Sequence, residues 1–132
     1  MIKGSCCCGA VKFELLETPS MMGTCHCSRC RKVGASTIIF TKADHFHLIQ
    51  GENMIQYYQP EEGYKYTRSF CKKCGSSLGE IGSGSCSFPI PANLMDDALK
   101  INVKFHEFTT EKPDWYQICD DAKQFEHHPF TA

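Results

Sequence analysis

The chain has 132 residues, 42% of them hydrophobic, and 14 Lys and Arg against 15 Asp and Glu give a formal net charge of −1. That length suits a single domain spanning residues 1–132 with a real core of its own. No basic run exceeds the pairs Arg31-Lys32 and Lys72-Lys73, which excludes the electrostatic footprint of a nucleic-acid or anionic-membrane binder.

Met1 to Cys6 lacks the apolar core of a signal peptide, and no later segment approaches the ~18 apolar residues of a membrane span. A cytoplasmic protein is therefore expected. In that reducing compartment ten cysteines point to metal ligands and free thiols rather than to a disulfide framework.

Ala10 to Leu15 alternates as a strand with Val11, Phe13 and Leu15 inward. Ser28 to Lys32 suits a helical turn closed by Gly34, and Ser36 to Thr41, rich in β-branched and aromatic residues, suits a buried strand. Phe46 to Gln50 and Met54 to Tyr58 flank Gly51-Glu52-Asn53, a hairpin-like signal. Tyr64 to Phe70 alternates again and runs into Cys71. Ser83 to Pro91 is a loop by composition. Leu99 to Phe105 has strict period two and predicts a strand, while Leu94 to Ala98 and Trp115 to Phe125 invite helical readings. The class is mainly β, with many short strands tied by metal knuckles.

Cys25-His26-Cys27-Ser28-Arg29-Cys30 dominates the chemistry. Thiols at C-x-C-x-x-C spacing can put three thiolates on one zinc at about 2.3 Å, and a tetrahedral ion then wants a fourth ligand. His26, between two ligands, tends to point away from a metal both neighbours grasp. An open position is what a catalytic zinc has and a structural zinc lacks.

Cys6-x-Cys8-Gly9 and Cys71-x-x-Cys74-Gly75 each end in Cys-Gly, where glycine lets the backbone turn with positive φ and its amide approach the sulfur. These four cysteines pair as one closed zinc site joining the N-terminal strand to mid-chain. Cys7, Cys86 and Cys119 are left over. Cys7 reads as a bystander, and Cys86 and Cys119 as small apolar or exposed thiols. His45, His47 and His106 read as strand-edge residues and His127-His128 as tail.

Gly4-Ser5-Cys6-Cys7-Cys8-Gly9-Ala10-Val11, then Cys25 to Gly34, then Phe70-Cys71-Lys72-Lys73-Cys74-Gly75-Ser76 resemble, in order, the glutathione-dependent formaldehyde-activating enzyme family. Lys112-Pro113-Asp114-Trp115 is similar to that family's lysine-x-x-tryptophan segment. The resemblance implies several small coiled antiparallel sheets of the Mss-four-like kind. It also implies a structural zinc on Cys6, Cys8, Cys71 and Cys74 and a second zinc on Cys25, Cys27 and Cys30, which the ligand count and the open position make labile and catalytic by expectation. The implied activity is a carbon-sulfur lyase class reaction joining glutathione and formaldehyde into S-hydroxymethylglutathione.

A three-thiolate metal favours an incoming thiol as its fourth ligand, so the site suits sulfur chemistry. Arg29, Arg31 and Lys32 beside it would attract the carboxylates of glutathione. A zinc-built module that binds glutathione or a protein without catalysis is the main alternative, and a thiol redox protein a third. A zinc nucleobase deaminase is excluded: Phe70 rather than proline precedes Cys71, and no H-x-E motif occurs.

Overall fold

Short alternating stretches between glycines and prolines leave room only for short strands, and the computed structural model, which describes residues 1–64 and 67–129, contains no strand longer than six residues among them. In chain order these are Ile2–Ser5 (β1), Lys12–Leu15 (β2), Met22–Cys25 (β3), Thr37–Lys42 (β4), Phe46–Gln50 (β5), Ile55–Tyr58 (β6), Arg68–Cys71 (β7), Ser77–Gly79 (β8), Ser87–Pro91 (β9), Val103–Glu107 (β10) and Lys123–Gln124 (β11). The α-helix is Ser28–Lys32 (α1). The protein is mainly β, as expected.

Three sheets form, with strand orders β1-β2-β5, β11-β10-β3-β4-β9 and β6-β7-β8. Two are wholly antiparallel, while the central one adds parallel pairings of β10 with β3 and with β11. Val11, Leu15, Ile39, Leu78 and Ile90 are buried between the sheets in one apolar cluster. Full burial of such side chains contributes about 1.5–3 kcal/mol each. Phe46 stacks on Phe13 at 5.1 Å and meets Phe88 edge-on at 5.4 Å, so one ring joins the first sheet to the central one. Cys6 and Cys71 belong to the same buried cluster.

The central sheet positions the triad. Gly23 faces Phe105 across the β3–β10 pairing, and a Cβ on Gly23 would come within 2.4 Å of the Phe105 ring. The bare glycine therefore lets that ring lie against β3, the strand that ends in Cys25.

Several sequence expectations are corrected. Phe46–Gln50 and Ile55–Tyr58 are strands, but β5 pairs with β2 and β6 with β7, so no hairpin forms. Gly51, at φ 94°, packs where a Cβ would meet the Ala10 carbonyl at 2.2 Å, and the chain turns there to leave one sheet for another. The expected loop from Ser83 to Pro91 contains β9, whose Pro89 and Pro91 are tolerated because β9 is an edge strand. The expected strand Leu99 to Phe105 begins only at Val103, because Lys100 adopts φ 58° and the ladder is irregular between Val103 and Phe105. The helical readings fail: the chain turns in 3-10 geometry at Ala92–Leu94, and Trp115 to Phe125 contains β11 and no helix. Of the strand expected over Tyr64 to Phe70, Lys65 and Tyr66 lie outside the described residues, and β7 begins at Arg68.

Candidate metal centres and ligand cavity

Cys6 follows β1, Cys8 stands in the next turn, Cys71 ends β7 and Cys74 lies in the turn to β8. Their four sulfurs lie within 4.8 Å of one another. Cys6 and Cys8 Sγ are 3.6 Å apart, and Cys8 and Cys71 Sγ 3.8 Å. A tetrahedral zinc with bonds of about 2.3 Å separates its sulfurs by about 3.8 Å, so this donor set fits that ion. Gly9 and Gly75 both have φ 79°, and each donates its N–H to the carbonyl of the first cysteine of its motif, Gly9 to Cys6 at 3.0 Å and Gly75 to Cys71 at 2.7 Å. The N–H that reaches the Cys6 sulfur comes from Val11, at 3.3 Å, rather than from the glycine.

Ser76 adds a support that the spacing did not reveal. Its hydroxyl lies 3.2 Å from Cys74 Sγ and accepts from the Cys7 N–H at 2.9 Å, tying the two cysteine turns together. The Ser76 hydroxyl and its backbone N–H hold the Cys74 thiol down at about 5.

The second cluster is Cys25, Cys27 and Cys30, again with sulfurs within 4.8 Å. Cys25 ends β3. Cys27 caps α1, its sulfur accepting the Cys30 N–H at 3.3 Å from an extended backbone, and this places Cys27 and Cys30 side by side. Gly34, at φ 78°, closes the helix as expected. Hydrogen bonds from Cys25 and then Cys30 push Cys27 down to about 2, while Cys27 and then Cys30 push Cys25 far above the thiol range. Three thiols this close ionise together only with a cation in their midst. The donor set is that of a soft divalent metal, and among the described residues no fourth protein ligand completes it.

His26 does turn away from the sulfurs. Its ring is buried, with Nε2 2.8 Å from His106 Nδ1, and His106 Nε2 reaches Asp120 at 3.0 Å. With both rings neutral, His106 donates to the carboxylate and accepts from His26, which fixes both tautomers. Tyr116 meets His26 edge-on at 5.1 Å. Glu107 lies opposite Cys25 in the β3–β10 pairing, and burial pushes its carboxyl up. The sequence reading of His106 as a strand-edge residue is corrected: it is buried in β10, which lies between β3 and β11, and Glu107 carried no signal beyond its type.

A cavity of about 440 Å³ adjoins α1, within the roughly 300–1,000 Å³ of small-molecule sites. Arg29, Lys32 and Arg68 give it positive charge, and Val33, Tyr58 and Phe70 an apolar wall. Arg29 also lies 3.8 Å above the Tyr64 ring. Of the three cations expected to meet a carboxylate, Arg31 departs: its Nε donates to the His26 carbonyl at 3.1 Å and it does not line the cavity. Arg68, absent from the sequence reading, takes its place and reaches Cys30 Sγ at 3.7 Å. Cys7, Cys86 and Cys119 are exposed and belong to neither cluster.

The profile of the glutathione-dependent formaldehyde-activating enzyme family matches residues 1–111, leaving the lysine-x-x-tryptophan segment beyond it. A protein of Halomonas elongata named "Putative glutathione-dependent formaldehyde-activating enzyme" is 28% identical, over 89% of this chain and 81% of its own. The crystal structure of a Rhodobacter sphaeroides protein superposes with a TM-score of 0.60 at 25% identity, over 73% of this chain and 89% of that one. Both cysteine clusters and all three sheets carry residues of the matched stretch, and the chain belongs to the glutathione-dependent formaldehyde-activating enzyme family.

Proposed function

We propose that this chain is a zinc-dependent carbon-sulfur lyase acting on adducts of glutathione, or a related small thiol, with an aldehyde. The observation that carries the reading is a three-sulfur cluster short of one ligand, set beside a cation-lined cavity by the same short helix. Cys6, Cys8, Cys71 and Cys74 would hold a structural zinc, and Cys25, Cys27 and Cys30 a second one. When bound by three thiolates, zinc supplies a Lewis-acidic position suited to a further sulfur. Arg29 and Lys32 draw the carboxylates of the thiol substrate into the cavity. In the forward direction a carbon-sulfur bond forms between the thiol and the aldehyde carbon, and the thiol proton ends on the carbonyl oxygen. With formaldehyde the product is S-hydroxymethylglutathione. A thiol-rich protein of this kind suits the reducing cytoplasm.

A non-catalytic module that binds glutathione has one specific support: among the described residues, no carboxylate or imidazole lines the cavity to move a proton. Isotope-exchange NMR of glutathione and formaldehyde decides between them. The lyase reading predicts faster exchange with the protein than without it, abolished in a folded Cys27→Ala variant. An exchange rate unchanged at saturating thiol would leave the binding module.

A further inference from the structure

The cavity wall and the triad both draw residues from α1, and Arg68 touches both. Arg68 lines the cavity, and its Nη2 stands 3.7 Å from Cys30 Sγ. Its position is fixed by β7, where it pairs with Tyr58 of β6, another cavity residue. Arg68 is half-buried, and its guanidinium has few partners in the chain. Its Nε is buried without a hydrogen-bond partner, and its contact with Cys30 is long. Glu80, buried nearby, feels the arginine charge but forms no ion pair with it among the described residues. Buried donors are nearly always paired, with protein or with water, so an orphan beside a cavity is a donor that an entering acceptor can engage.

We infer that Arg68 is the residue that selects the substrate of this site, admitting small thiols that carry a free carboxylate and placing that carboxylate between the cavity and Cys30. The inference rests on the thiol-adduct reading above and adds a chemical class to it. A guanidinium presents five N–H donors in a planar fork matched to a carboxylate, and a charge-assisted pair of this kind is about twice as strong as a neutral hydrogen bond. Arg29 is engaged on the Tyr64 ring and Arg31 on the His26 carbonyl. Arg68 alone of the arginines combines open donors, a place in the cavity wall and contact with a triad sulfur. Lys32 supplies a second charge without the fork.

Isothermal titration of the zinc-loaded protein with glutathione, glutathione diethyl ester and 2-mercaptoethanol tests this by separating sulfur from carboxylate. The parent should bind glutathione at least about tenfold more tightly than the other two, about 1.4 kcal/mol. Arg68→Met should lose nearly all of that preference while retaining its zinc, Arg29 and Lys32 leaving only a weak general attraction for anions. A parent that does not discriminate, or an Arg68→Met variant that keeps the preference, overturns the inference. Should Arg68→Met fail to fold, Arg68→Lys keeps the charge and removes the fork: it should weaken glutathione about tenfold and leave the ester unchanged, and full discrimination by it overturns the inference too. If no thiol binds the parent, the lyase reading and this inference fall together. If all three thiols bind it alike, only the role of Arg68 falls.

Discussion

The two cysteine clusters differ in what surrounds them more than in what they are made of. The four-sulfur cluster draws Cys6 and Cys71 from the buried core and joins two sheets, so its metal would be part of the fold. The three-sulfur cluster closes on itself within six residues, between β3 and α1, and the described structure provides no fourth ligand. Around it stand a buried histidine pair and a buried carboxylate on β10, while the cation-lined cavity has neighbours of both clusters in its wall, Arg29 beside Cys30 in sequence and Phe70 and Gly75 beside Cys71 and Cys74. Long-range ligation suits stability, and local ligation leaves one side free for chemistry.

Removing one ligand from the closed cluster should have the largest effect. Cys74→Ser opens the closed site, whose metal adds to folding free energy directly, on the order of 10 kcal/mol for small zinc domains. That variant should be unfolded or insoluble, whereas Cys119→Ser, at an exposed cysteine outside both clusters, should behave as the parent. Circular dichroism and zinc content measured together check this, and a native-like, zinc-replete Cys74→Ser protein would remove the proposed ligand set.

A smaller effect is expected at the support of the triad. His106→Leu keeps most of the buried volume but leaves the His26 N–H without its acceptor, at a cost of about 1–3 kcal/mol. The variant should melt earlier and hold the triad metal less firmly, with the four-cysteine site unaffected. Cobalt substitution reads the two sites apart, since only the triad absorption should change. A spectrum altered at both sites would mean that they are not independent.

The sequence showed the two clusters because ligand spacing is local and the Cys-Gly turns mark one pair of motifs. It did not show what surrounds the triad. His26 and His106 are 80 residues apart and meet only because β10 lies parallel to β3, a pairing no local pattern announces. Arg68 sat in an alternating stretch that read simply as strand. Leu99 to Phe105 shows the opposite failure: period two predicts a strand throughout, yet a left-handed Lys100 delays it to Val103, and the buried residues Phe105, His106 and Glu107 then break the alternation. Edge placement hid β9 behind its prolines.

Glu80 gives the most pH-specific test. Burial raises its carboxyl from 4.5 to about 7, with Arg68 pulling the other way, so the folded protein holds that proton more tightly than the unfolded chain. The folded state is therefore favoured at low pH by this group, loses that advantage as pH rises from 4.5, and has lost it above about 7. Glu80→Gln should match the parent near pH 4.5 and exceed its stability at pH 8 by about 3 kcal/mol at most. Acid also protonates the thiols of parent and variant alike, so the quantity to follow is the difference in their unfolding free energies. A difference independent of pH would show that Glu80 ionises as an ordinary surface carboxyl.

Lability of the metals tests the contrast between the clusters most directly. The zinc-loaded protein is treated with a mild chelator while released zinc and the β signal are followed together, with and without excess glutathione. The open triad should release about one zinc with the fold intact, because a chelator can enter its free side and exchange ligands stepwise. The closed site should lose its zinc slowly and only as the β signal collapses, and glutathione should slow the first release alone. Simultaneous loss of both metals, or a triad metal indifferent to thiol, would contradict the account.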